Sequence, residues 1–178
     1  MQPSCHDEER NALIQFNKSF KLDCRSRQDP FLTVVVHPKT SSWGSNNGTN
    51  CCSWDGVDCD VETGHVIGLY LNSSCLYGSF HSNNTIFHLV HLQELDLSYN
   101  NFTFSPIPTA MGFFPELKFL RLRSSFFQEF IWLGDFLNQR SLQIHYKDLR
   151  ECWAWTISFP INTLPRPLEI SPLPFGNL

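Results

Sequence analysis

Along this chain the apolar residues fall into an alternating unit that returns at a nearly constant distance. Val66-Ile-Gly-Leu69-Tyr-Leu71 is the first copy, Leu92-Gln-Glu-Leu95-Asp-Leu97 the second and Leu117-Lys-Phe-Leu120-Arg-Leu122 the third. Their central leucines, Leu69, Leu95 and Leu120, lie 26 and 25 residues apart. Alternation with period two predicts a short strand, with the leucines on one face and the intervening residues on the other. A helix also spaces leucines, but it does not explain an alternation that recurs at one long period. Three residues on, each unit reaches a polar side chain, Ser74, Asn100 or Ser125, and two further an apolar one, Leu76, Phe102 or Phe127. An asparagine there hydrogen-bonds the backbone at the bend after the strand. Ser74 and Ser125 do so only in part, so their bends are expected to be weaker.

One unit of this kind cannot bury its own apolar edge, whereas stacked neighbours bury a continuous core. The pattern L-x-x-L-x-L-x-x-N-x-L, at a period of about 20–29 residues, is that of leucine-rich repeats. The expected fold class is therefore an α/β solenoid, with a short parallel sheet of about three repeats over residues 66–140. Leu142 to Leu149 imitates the strand half only 22 residues after Leu120, and the pattern then dissolves. Residues 153–178 hold Trp153, Trp155 and five prolines, Pro160, Pro165, Pro167, Pro172 and Pro174. Proline at that density blocks both helix and strand ladder. Residues 141–178 are thus expected to be a degenerate repeat followed by an irregular tail.

Composition narrows the functional classes. The net charge is −4 and only 17% of residues are charged, which disfavours nucleic acids and anionic membranes as partners, since both demand a basic patch. The longest apolar runs, such as Leu32–Val36, fall far short of the ~18 residues that span a bilayer. Five of the seven cysteines, Cys5, Cys24, Cys51, Cys52 and Cys59, lie in the first 59 residues, where they read as a local staple. Adjacent Cys51 and Cys52 must project in different directions and serve different partners. Cys52 and Cys59 close a loop long enough to bridge, leaving Cys51 free to reach back to Cys5. The competing reading is a zinc site, against which stands the lack of a C-x2-C pair. Five sequons, at Asn17, Asn47, Asn72, Asn83 and Asn101, agree with an oxidising, secretory setting. The start at Met1 shows no basic and apolar leader; from Met1 alone the chain would be expected to stay in the cytosol, so a signal peptide is expected upstream of it.

The segment Cys5-His-Asp-Glu-Glu-Arg-Asn-Ala-Leu-Ile-Gln-Phe16, with Asp7, Glu8 and Glu9 placed to favour a helix N-terminus and Leu13, Phe16 and Phe20 on one face, resembles the first helix of the N-terminal cap of plant leucine-rich-repeat receptors. Trp43 followed by Cys51-Cys-Ser-Trp-Asp-Gly-Val-Asp-Cys59 is similar to the cap's signature stretch. Thr63-Gly-His-Val-Ile-Gly-Leu69 and Ser73-Ser-Cys-Leu-Tyr-Gly78 resemble the passage into the first repeat, and Phe87-His-Leu-Val-His-Leu-Gln93 the inter-repeat segment of the disease-resistance type of receptor-like protein. The resemblance covers about residues 4–125 and marks 1–65 as a disulfide-stapled helical cap. It implies pairing of Cys5 with Cys51 and of Cys52 with Cys59. It also implies a secreted or plasma-membrane recognition protein with many repeats, one membrane span and no kinase of its own, which binds a protein or peptide ligand and signals through a partner kinase. Against that pattern, residues 1–178 are expected to hold no signal peptide and no membrane span, to have few repeats, and to lose the repeat from about Ser124.

Candidate sites follow from the repeat register. The outward strand positions form the concave face: Gly68, Tyr70, Asn72 and Ser73; Glu94, Asp96, Ser98 and Tyr99; Phe119, Arg121, Arg123 and Ser124. Of these, Tyr70, Glu94, Asp96, Tyr99, Phe119, Arg121 and Arg123 are the candidate ligand contacts, and Asp96 and Arg121 share a column and are expected to pair. Asn47, Asn72, Asn83 and Asn101 are the candidate glycosylation sites; a glycan at Asn72 would obstruct one edge of the concave face. His88 and His91, with nearby His81, suggest a metal at first sight, but the stretch reads better as a connector, and no metal or cofactor is expected. No G-x-S-x-G, H-E-x-x-H or glycine-rich phosphate loop is present, which disfavours catalysis. The expected role is a non-catalytic recognition module in defence or signalling. Two alternatives stand beside it: a soluble secreted inhibitor of a cell-wall-degrading enzyme, and a truncated gene product without a function of its own.

Overall fold

A computed structural model describes residues 4–24, 37–44, 50–103, 105–122, 125, 127, 143–147 and 154–157. The chain opens with helix α1 (Asp7–Lys18). Three carboxylates in its first turn and Lys18 in its last oppose the helix dipole favourably. Its inner face buries Ala12, Leu13 and Phe16, each large side chain contributing about 1.5–3 kcal/mol by leaving water. Strand β1 (Lys21–Leu22) then pairs antiparallel with β4 (Leu76–Tyr77) in a separate two-stranded sheet. Short 3-10 turns at Lys39–Ser42 and Cys51–Ser53 lead to β2 (Val57–Cys59).

The main sheet has the order β2-β3-β5-β6-β7-β8. Its centre is parallel: β3 (Val66–Tyr70), β5 (Glu94–Asp96), β6 (Phe119–Arg121) and β7 (Gln143–Lys147). Leu69, Leu95 and Leu120 stand in one register line, and all three are fully buried. Both edges are antiparallel, β2 on β3 at one end and β8 (Ala154–Ile157) on β7 at the other. The expectation of an irregular tail is corrected here: β8 lies inside the tail because its four residues precede Pro160, the first of the prolines that would interrupt a ladder.

Two features tie the cap to the repeats. The first is a run of aromatic contacts. Phe16 meets Phe20 and Phe80, Phe80 meets Phe102, and Phe102 stacks on Phe127 at 4.6 Å, so one apolar spine continues from helix to third repeat. The second is covalent. Disulfides join Cys5 to Cys51, Cys52 to Cys59 and Cys24 to Cys75. The last pins the β1 segment to the back of the first repeat, where the Asp23 N–H also donates to the Cys75 carbonyl.

The bends after the strands differ as their side chains do. The Asn100 amide donates to the carbonyls of Leu71, Leu97 and Ser98, and its oxygen accepts from the Leu76 N–H. The Ser125 hydroxyl donates to the Leu97 carbonyl, and that of Ser74 reaches the Asn72 carbonyl only at 3.5 Å. Gly56 is required where it stands: its φ is +80°, and an added Cβ would sit 2.7 Å from the Tyr70 carbonyl oxygen.

Candidate functional site

The parallel register sets the columns of the expected concave face. Gly68, Glu94 and Phe119 form one column across β3, β5 and β6, and Tyr70, Asp96 and Arg121 the next. Tyr70, Glu94, Asp96, Phe119 and Arg121 are all half-buried, because neighbouring strands shield their flanks while one side stays open. Arg121 Nη1 lies 3.3 Å from Glu94 Oε2, and its guanidinium stands 5.7 Å from the Phe119 ring centroid. The expected Asp96–Arg121 pair does not form. The Asp96 carboxylate instead accepts the Ser98 N–H within its own bend at 2.9 Å, so Arg121 turns to the diagonal carboxylate. The Tyr70 phenol is held above its ordinary pKa, first by burial and then by the nearby Glu94 carboxylate. At the adjoining edge Lys39 Nζ donates to the Tyr70 carbonyl at 2.8 Å and to Asn72 Oδ1 at 3.0 Å.

Other expected positions fall differently. Ser73 and Ser98 are buried, not on the open face, since both sit where the chain bends down after its strand. Tyr99 is half-buried at that bend, with φ +58°. Arg123, Ser124 and Asn47 lie outside the described residues. Among the sequons, Asn83 is exposed, while Asn17, Asn72 and Asn101 are half-buried; the Asn17 amide donates to the Thr40 carbonyl, and the Asn101 oxygen accepts the Thr103 N–H. The sulfurs of Cys5, Cys51 and Cys52 lie together, but all three are in disulfides and offer no thiolates to a zinc ion.

A second cluster lies on the side of the sheet from which the chain enters the parallel strands. His65 stands three residues before Gly68, and His91 three before Glu94, so they share one repeat position; Glu116 holds the same position before Phe119. His6 of the cap stacks on His65 at 4.0 Å, and His91 lies 4.0 Å from His65, inclined by 39°. The buried Glu9 carboxylate faces His65 Nδ1 at 3.3 Å and accepts the Val66 N–H at 3.1 Å. The sequence signal for this cluster is the same 26-residue spacing that aligns the leucines, applied to histidine. Proximity along the chain points elsewhere, since it groups His91 with His88 and His81.

Comparison with known proteins adds a family setting. Residues 6–60 match the model of the leucine rich repeat N-terminal domain. Receptor-like protein 6 of Arabidopsis thaliana is 44% identical over 130 residues, which cover 70% of this chain and 13% of that protein. Receptor-like protein Cf-9 of Solanum pimpinellifolium is 42% identical over 115 residues, covering 62% of this chain and 13% of its own length. The chain thus spans about one-eighth of the length of these curated relatives. Among solved structures, the crystal structure of PEPR1-AtPEP1 is similar at 26% identity with a TM-score of 0.48, over 67% of this chain and 15% of that one.

Proposed function

We propose, from the premise that this chain is the N-terminal cap and first repeats of a plant leucine-rich-repeat receptor-like protein, that it is a non-catalytic recognition module whose concave strip contacts a protein or peptide ligand. In this reading the whole protein works at the cell surface, in defence or signalling, and passes its signal to a co-receptor kinase. No helix among the described residues is long and apolar enough to cross a membrane. The observation that carries the reading is the Tyr70–Glu94–Arg121–Phe119 group. It spans three adjacent strands, couples two aromatic rings to an ion pair, and keeps an open side. Tyrosine, arginine and phenylalanine are the side chains that dominate protein recognition. Glycosylation at Asn83 is compatible with it. Exposed Asn83 lies beside the 3-10 turn Thr85–His88, away from the strip.

The test is panning of a displayed library of plant extracellular peptides against the chain, made in an oxidising secretory host. Binders are expected to lose about tenfold or more in affinity with Tyr70→Ala or Arg121→Ala, a loss of about 1.4 kcal/mol, and to be indifferent to His81→Ala on the other side. Binders insensitive to both concave changes would assign recognition elsewhere.

A further inference from the structure

The recognition reading leaves the histidine ladder unused, and its hydrogen bonds have a direction. His6 Nε2 lies 3.0 Å from the Thr63 carbonyl, His65 Nδ1 3.3 Å from Glu9 Oε1, and His91 Nδ1 3.3 Å from Glu116 Oε1. A neutral imidazole that donates through one nitrogen presents a lone pair on the other. The lone pairs therefore fall on His65 Nε2 and His91 Nε2, both with a carboxylate behind the ring. A carboxylate behind an imidazole is the arrangement that fixes ring orientation and raises ligand strength in metal sites. Glu9 is itself held in place, because its other oxygen accepts the Val66 N–H and its side chain is only 7% exposed.

We propose that His65 and His91 form a chelating pair for a borderline divalent transition cation of the Zn²⁺ or Cu²⁺ kind. Imidazole suits these ions, and hard cations such as Mg²⁺ are excluded by the nitrogen donors. The three stacked rings cannot all reach one ion, since His65 lies between the other two. His65 and His91 are neighbours: their ring centroids stand 4.0 Å apart, their planes are inclined by 39°, and His91 is half-exposed. The cleft in front of them is lined also by His88, Asp7 and Glu8. His88 and Glu8 are exposed, and the carboxylates of the cleft raise the local cation concentration. His65 precedes the first strand of the array and His91 the second, so a bound ion clamps consecutive repeats where they meet the cap.

The experiment is zinc titration by calorimetry, on the secreted chain carrying Cys152→Ser so that its seventh cysteine offers no thiolate. One ion per chain is expected. His65→Gln and His91→Gln are each expected to weaken binding by about tenfold or more, and Glu116→Gln by less. His37→Gln and His81→Gln are expected to leave it unchanged. Zinc should raise the melting temperature of the parent but not of the His65→Gln/His91→Gln double variant, which separates ligation from a general loss of fold. With Cu²⁺ in place of zinc, electron paramagnetic resonance should show nitrogen coupling that the double variant loses. No saturable binding below about 1 mM zinc, or affinity that survives in the double variant, overturns the proposal.

Discussion

The cap, residues 4–65, and the repeats that follow are held together by different means. In the cap almost nothing recurs. Asn50 Oδ1 accepts the N–H groups of Cys5 and Cys52, Trp43 Nε1 donates to the Asp55 carbonyl and its ring stacks on Trp54, Glu9 holds the start of β3, and three disulfides begin there. In the repeats the same leucine returns in each layer, fully buried, and each layer is covered by the next. Covalent links suit a segment that presents too little apolar area to bury at one end of a stack. Layered burial suits an array in which every interface resembles its neighbour. A lesion in the cap is therefore expected to act locally and in proportion to the link removed, and a lesion in a layer to propagate.

The largest effect should come from Leu95→Asp. Leu95 is flanked in register by Leu69 and Leu120, so a carboxylate there has apolar neighbours on both sides. Loss of the leucine costs about 2–5 kcal/mol. The unpaired buried charge adds several more, which together rival the ~5–15 kcal/mol that holds a whole domain. Circular dichroism should show no cooperative melting, and a melting curve close to the parent's would break the layered description. Next come the cap's links, ranked by the loop each closes. Cys5–Cys51 and Cys24–Cys75 span 46 and 51 residues, Cys52–Cys59 only 7. Chain entropy assigns about 4 kcal/mol to each long loop and about 2 kcal/mol to the short one. Paired Cys→Ser variants followed by urea denaturation should reproduce that order. Equal losses for all three pairs would mean that the links matter for local fit and not for loop closure.

The same contrast explains which parts of the molecule are legible in the amino-acid sequence. The array is legible because burial by layers imposes a period, and Leu69, Leu95 and Leu120 display it. The cap is legible only through its motif, since single contacts such as Glu9 to Val66 leave no periodic trace. The Cys24–Cys75 link is not legible. It depends on β1 folding back against β4, a pairing of two residues on each side. The strand columns are legible as positions but not as partners: which carboxylate Arg121 chooses is decided by the Asp96 side chain turning to its own bend. The histidine ladder lies within reach of the period but is masked by the nearer grouping of His81, His88 and His91 along the chain.

The smallest predicted effect sharpens the comparison within the array itself. Asn100 and Ser125 hold the same repeat position, yet the asparagine binds carbonyls of two layers and accepts the Leu76 N–H, while the serine hydroxyl donates back to Leu97. Asn100→Ser keeps a short donor and strands the buried Leu76 N–H, an unmade bond worth about 1–3 kcal/mol. Ser125→Ala removes the neutral hydrogen bond to the Leu97 carbonyl, worth about 0.5–1.5 kcal/mol. Urea midpoints should therefore fall further for Asn100→Ser than for Ser125→Ala. The reverse order would mean that the bend after the third strand, and not the one after the second, carries the junction between layers. Equal losses would mean that the position is occupied for its size and not for its hydrogen bonds. The expected order follows from register: the Asn100 amide joins Leu71 and Leu76 of the preceding layer to Leu97 and Ser98 of its own, and the shorter Ser125 hydroxyl donates to Leu97 of the preceding layer.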